Sequence, residues 1–232
     1  MKPAIAITLV AGAFTIILGG YLIAYATTVH DPVEWKSGDL IVQNSNAETM
    51  LPVFAADGSG ITHIGLVDVT PDNGAVVIEV TDVVRETPIH EFIDRGTDGT
   101  YAVYRLEALN DQQRQATVTA ARRQMGKPGD YFLRRSWDAF YSSELVHLAY
   151  GDIGFELGRP QKILAVSKDL TAVESMFGRS WSDDKDCTKR NLDAEQCWDV
   201  VSKQEIITPS SIVGDRQMTK LYSSFAQVSA QQ

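Results

Sequence analysis

HIGLVDVTPDNGAVVIEV, residues 63–80, is the stretch that decides the fold. Two runs of branched apolar residues, His63 to Val69 and Ala75 to Val80, flank Pro71-Asp72-Asn73-Gly74. Asn-Gly between two such runs is the chemistry of a tight β-turn, so the stretch predicts a β-hairpin. Upstream, Asp39 to Gln43 reads as a strand after a turn at Lys36-Ser37-Gly38, and Asn44 to Gly60 is polar and loop-rich. Downstream, Tyr101 to Leu106 alternates and is rich in aromatic and branched residues, a further strand. Helices follow. Asn110 is placed to cap a segment running to Met125, which Gly126 and Pro128 stop. A second helix runs from Tyr141 to Tyr150 with Leu145, Val146 and Leu148 inward. The tail offers a helix over Leu170 to Phe177 and a short strand over Glu205 to Thr208. Strands followed by helices, without strict alternation, predict an α+β fold with a mostly antiparallel sheet packed against helices.

Composition narrows the function classes. The chain has 232 residues, 44% of them hydrophobic and 22% charged, which is ordinary globular usage and excludes wholesale disorder. Lys and Arg number 21 against 30 for Asp and Glu, a net charge of −9. That balance argues against nucleic acid as a partner, since such binding rests on cations set against phosphates. It also argues against a basic protein held on anionic lipid. Two cysteines are too few for a disulfide scaffold or a structural zinc site.

The N-terminus sets the expected compartment. Lys2 precedes a run from Pro3 to Ala26 without a charge. Its apolar part, about 20 residues, suffices as a helix to cross a bilayer core. Residues 1–26 therefore read as a membrane anchor (apolar over 4–26) or as a signal peptide, for which Ala24-Tyr25-Ala26 supplies an A-x-A cleavage pattern. Residues 27–34 read as a linker and 35–232 as the exported domain. Either reading implies an N-terminal apolar helix and an extracytoplasmic, periplasmic location, because the first downstream charges, Asp31 and Glu34, are acidic. In an oxidising compartment Cys187 and Cys197 are expected to pair, closing a small loop.

Three elements carry candidate chemistry: His63 at the head of an apolar strand, Glu79 within another, and YSSELV at 141–146 opening a helix. Each has an ordinary reading: a strand-end polar residue, a carboxylate on a solvated face, a helix cap. Together they form nucleophile, base and orienter. A hairpin sets its strands side by side, so Glu79 is placed to bond one ring nitrogen of His63 and leave the other as base. A hydroxyl at a helix start gains from the positive end of the helix and its unpaired N–H groups. His147, four residues after Ser143, reads as a helix-surface residue, while His30 sits beside the apolar run and His90 in a loop-like TPIHEF. Asp183, Asp184 and Asp186 read as a solvated acidic turn, since the glycine and terminal glutamate of a calcium loop are missing.

In order and spacing, GDLIV from Gly38, THIGLV, the glutamate strand, GKPGDY and YSSELV resemble the permuted branch of the NlpC-type papain-like hydrolases, the YiiX-like proteins. ITPSSI at Ile207 to Ile212 is similar to that branch's C-terminal segment, so the resemblance covers about Trp35 to Ile212. It implies a circularly permuted papain-like fold, and hydrolysis of amide or ester bonds in cell-wall peptides or lipid acyl groups. No cofactor or metal is expected, since a metal site would need several His or carboxylate ligands to converge. His63 and Glu79 match the family's base and polar partner. Where the family motif reads Y-C-S-E-L-V, this chain carries Ser142. Three accounts of that serine stand open: a replacement introduced to trap an inactive form, a serine nucleophile served by His63, or a groove retained for binding after catalysis was lost.

Overall fold

In the computed structural model the described residues are 32–45, 52–72, 74–134 and 136–226, with the backbone of three strands nearer the N-terminus. The chain divides into two units, Met1–Glu34 and Trp35–Gln232. In the first, β1 (Thr8–Val10), β2 (Ala13–Leu18) and β3 (Tyr21–Ala26) pair antiparallel in sequence order. This departs from the expected apolar helix over 4–26. Thr8, Val10, Thr15, Ile16, Ile17, Tyr21, Ile23 and Tyr25 are branched or aromatic residues that favour strands. The pairing of Leu18 with Tyr21 leaves only Gly19-Gly20 between strands, a hairpin-length connection. No helix among the described residues is long and apolar enough to cross a membrane.

The second unit is built on a six-stranded antiparallel sheet. Its strands are β4 (Leu40–Ser45), β5 (His63–Thr70), β6 (Gly74–Val80), β7 (Val84–Pro88), β8 (Gly96–Leu106) and β11 (Met218–Ser223), in the spatial order β11-β8-β4-β5-β6-β7. The expected hairpin is present as β5–β6, with Thr70 paired to Gly74 across the turn. Alternation sends Ile64, Leu66, Ile78 and Val80 to one face, where they pack with helices α3 (Asp111–Arg122) and α4 (Ser142–Gly151) through Val118, Ala121, Leu145 and Val146. Asn110 caps α3 with a reciprocal capping box to Gln113, as its position in the sequence predicts. His63, Gly65, Val67, Val77 and Glu79 fall on the other face, against which α2 (Ile89–Asp94) packs.

Gly65 is required for that second face to close. A Cβ there would stand 2.2 Å from Val77 Cγ1 and 3.4 Å from Phe92 of α2. Gly65→Ala is expected to cost about 1–3 kcal/mol of stability through overpacking, measurable by urea unfolding.

The remaining elements form a smaller helical lobe. It comprises α1 (Pro52–Ala56), α5 (Ile163–Val166), α6 (Thr171–Ser180), α7 (Lys185–Lys189) and α8 (Ala194–Val201), with β9 (Gln161–Lys162) paired to β10 (Glu205–Ile206), whereas α9 (Pro209–Val213) returns to pack on α4 and β11 in the main core. Its core gathers Phe54, Ile163, Phe177 and Val201 around Cys187 and Cys197. The two cysteines are joined, with Cα atoms 5.6 Å apart, and the bridge ties α7 to α8. Asp184 departs from the expected solvated turn. It is buried, caps α7 by accepting from the amides of Asp186 and Cys187, and pairs with Arg134. A buried helix start needs an acceptor for its amides, and that role draws this one carboxylate inward.

Candidate active site

His63 opens β5 and Glu79 is the penultimate residue of β6. Continuing the Leu66–Ile78 pairing by one step sets Glu79 opposite Gly65, so His63 stands diagonal to it rather than directly across. The bare glycine leaves the carboxylate free to reach along the strand. His63 Nε2 and Glu79 Oε2 are 2.7 Å apart. The imidazole also stacks on Phe92, ring centroids 5.5 Å apart, and is held on two sides. Because Nε2 is engaged, Nδ1 is the nitrogen left for proton transfer.

Glu79 is fully buried and its second oxygen is crowded with donors. Thr87 of β7 donates to Oε1 at 2.5 Å, Arg95 after α2 donates to the same oxygen, and Arg85 lies 3.6 Å away. Burial pushes the carboxyl up, but the hydrogen bond and charge of His63, the Thr87 hydroxyl and the Arg95 guanidinium outweigh it and hold it at about 2. The group is therefore ionised at any working pH. Neither Thr87 nor Arg95 was legible in the sequence as a partner, because both reach Glu79 through tertiary packing.

That depressed value has a consequence for stability. The folded pKa lies below the ordinary 4.5, so the carboxylate stabilises the fold above that value and loses its contribution as pH falls towards about 2. The loss is on the order of 3 kcal/mol. Urea unfolding between pH 6 and pH 2.5 is expected to show a shallower fall for Glu79→Gln than for the parent chain.

Ser142 is the first residue of α4, after Tyr141, which gives the helix no side-chain cap. Two anchors orient the helix. At its C-terminal end the Tyr150 hydroxyl donates to the carbonyl of Gly38, whose amide bonds Val67 late in β5. At its N-terminal end Phe140 pairs with Gly129, whose amide bonds Asp82 just beyond β6. Ser142 thus lies towards the end of the sheet at which β5 begins, the end that carries His63. Its hydroxyl makes no hydrogen bond among the described residues, to His63 or otherwise. Ser143 is committed elsewhere: its hydroxyl donates to the carbonyl of Ile207 at 2.7 Å, while the Ile207 amide donates to the Tyr141 hydroxyl at 3.1 Å. The ITPSSI segment therefore clamps the start of α4, and of the two serines only Ser142 has a disengaged hydroxyl.

The other candidates lie apart. His147 Nδ1 is 2.7 Å from the Leu157 carbonyl, His90 is exposed on α2, and His30 falls outside the described residues. Among the described residues the potential metal-ligand group is Asp184, Cys187 and Cys197, whose two sulfurs are bonded to each other.

The antiparallel sheet carries His63 and Glu79 on one hairpin ahead of the helix that opens with Ser142, the element order of a permuted papain-like fold. The chain belongs to the family of permuted papain-like amidases, YaeF/YiiX, C92 family, whose pattern matches residues 34–222. It is similar to an uncharacterized protein YiiX of Escherichia coli strain K12, 32% identical over 130 residues that make up 55% of this chain and 64% of that protein. The chain thus spans less than two thirds of that relative's length. Among solved structures, a crystal structure described as metalloprotein yiiX from Escherichia coli O157:H7 has a TM-score of 0.68 at 25% identity, covering 82% of this chain and 98% of that one.

Proposed function

We propose that this protein is an extracytoplasmic hydrolase cleaving amide or ester bonds in cell-envelope material, peptidoglycan peptides or lipid acyl groups. Ser142 is the nucleophile, His63 the base and Glu79 the group that orients it. The observation that carries this reading is the His63–Glu79 pair, a base with one nitrogen fixed by a carboxylate ionised at neutral pH and the other unengaged. In the reaction, Ser142 Oγ attacks the carbonyl carbon and its proton passes to His63 Nδ1. His63 returns that proton to the departing amine or alcohol, leaving an acyl-enzyme that water cleaves by the reverse route. Backbone N–H groups of the first turn of α4 are suited to the oxyanion. Envelope placement is supported by the charge-free run after Lys2 and by the Cys187–Cys197 bridge.

A second reading, a binding or scaffolding module on the same fold, is favoured by one observation: the Ser142 hydroxyl is not bonded to His63. The test is to assay the parent chain and Ser142→Cys on muropeptides, p-nitrophenyl esters and phospholipids. If both are inert and the cysteine resists thiol-directed probes, the hydrolase reading fails. Co-sedimentation with cell wall or membrane that survives His63→Ala would then support the module.

A further inference from the structure

We propose that Arg95 is a positioning residue that sets the basicity of His63 by neutralising Glu79. An ionised carboxylate touching an imidazole stabilises the imidazolium and raises its pKa by about 1–3 units. A base so raised is mostly protonated near neutral pH and idle. Glu79 has two oxygens with separate duties. Oε2 holds His63 Nε2, while Oε1 takes Arg95 and the Thr87 hydroxyl, with Arg85 at 3.6 Å. The carboxylate can then orient the ring while much of its charge is balanced from behind. Phe92 links the two ends of this arrangement, since His63 stacks on its ring and the Arg95 guanidinium carbon stands 5.6 Å from its centroid.

Arg95 suits the task better than Arg85. It is less exposed, 29% against 43% for the side chain, and it makes the direct bond. On α2, His90, Glu91 and Asp94 are exposed to solvent, and the remaining charges on elements packed against β5 are engaged elsewhere. Asp39, before β4, and Arg114 of α3 gather with Arg105, and Arg122 of α3 pairs with Asp68 of β5 and Glu86 of β7. His147 of α4 is on the Leu157 carbonyl. Glu144 in the first turn of α4 is common to all variants compared, so its effect cancels.

The proposal rests on the reading of His63 as the base, and its test does not need turnover. Histidine ring resonances of the full chain are followed by NMR against pH, with His63 assigned by the signal lost in His63→Gln. Arg95→Met is expected to raise the His63 pKa by about one unit, and Arg95→Lys, which keeps the charge, to leave it near the parent value. A His63 pKa unchanged or lowered in Arg95→Met overturns the proposal. Should that variant not fold, Arg95→Gln carries the same expectation and the same refutation. A merely structural Arg95 would lower the melting temperature in both the Met and Lys variants without moving the titration. Inert parent and Ser142→Cys proteins with a shifted resonance would leave this inference standing and sink only the hydrolase reading.

Discussion

Ser142→Cys is expected to hydrolyse amide and ester test substrates at least about 10²-fold faster than the parent chain, and His63→Ala in the cysteine background to abolish that gain. The argument is one of ionisation. A free thiol has a pKa near 8.5, and a neighbouring imidazole with a helix N-terminus lowers it by several units, so thiolate and imidazolium form before substrate arrives. A hydroxyl stays protonated in the same setting and must lose its proton during attack, which demands closer alignment with the base. The Ser142 hydroxyl is not bonded to His63, so that alignment is absent in the resting protein. The thiol needs it less. Single-turnover release of p-nitrophenol, with active-site titration by a thiol-directed probe, measures the gain. Equal rates in both proteins would contradict Ser142 as the nucleophile, and a gain that survives His63→Ala would contradict His63 as the base.

Much of this arrangement was legible because it is local. Pro71-Asp72-Asn73-Gly74 between two apolar runs fixes the hairpin, and the hairpin carries His63 and Glu79. Asn110 with Gln113 three residues on is a helix start written in two side chains, and the structure realises both halves of the box. Other features depend on distant partners. The helix α2 has six residues between two strands, too few to display a period, yet it supplies Phe92 beneath His63. Strand β11 lies at the sheet edge with no buried residue, so its pattern is faint. Apolar content without amphipathic spacing fits a spanning helix or a set of strands, and over Thr8–Ala26 the branched and aromatic residues favour the latter. The cysteines show the limit in reverse. They pair as expected, and the bridge lies buried between polar flanks because Lys185, Asp186, Glu195 and Gln196 turn outward around it.

Asp39→Ala is expected to destabilise the protein by about 3–5 kcal/mol, as an uncompensated buried charge does. Asp39 is fully buried, accepts from Arg105 with both oxygens at 2.6 and 2.7 Å, and takes the Lys36 amide at 2.9 Å. Arg114 stands 4.0 Å away, so removing the carboxylate leaves two neighbouring guanidinium groups buried with less to balance them. The same turn holds Gly38 at φ +85°, a conformation that glycine adopts without strain. Its carbonyl receives the Tyr150 hydroxyl, and burial with Asp39 alongside pushes that phenol's pKa up, which keeps it a donor. Loosening this corner therefore releases the C-terminal anchor of α4, the helix whose other end presents Ser142. Against a total of about 5–15 kcal/mol for a domain, the loss is large enough to be seen directly as a lower urea midpoint. Removing the whole pair separates charge from shape: Asp39→Ala with Arg105→Met is expected to be more stable than Asp39→Ala alone, because an apolar side chain carries no buried charge to satisfy. If the double variant is no better than the single one, the cost lies in the Lys36–Asp39 turn rather than in the ion pair, and the corner acts on α4 through backbone geometry alone.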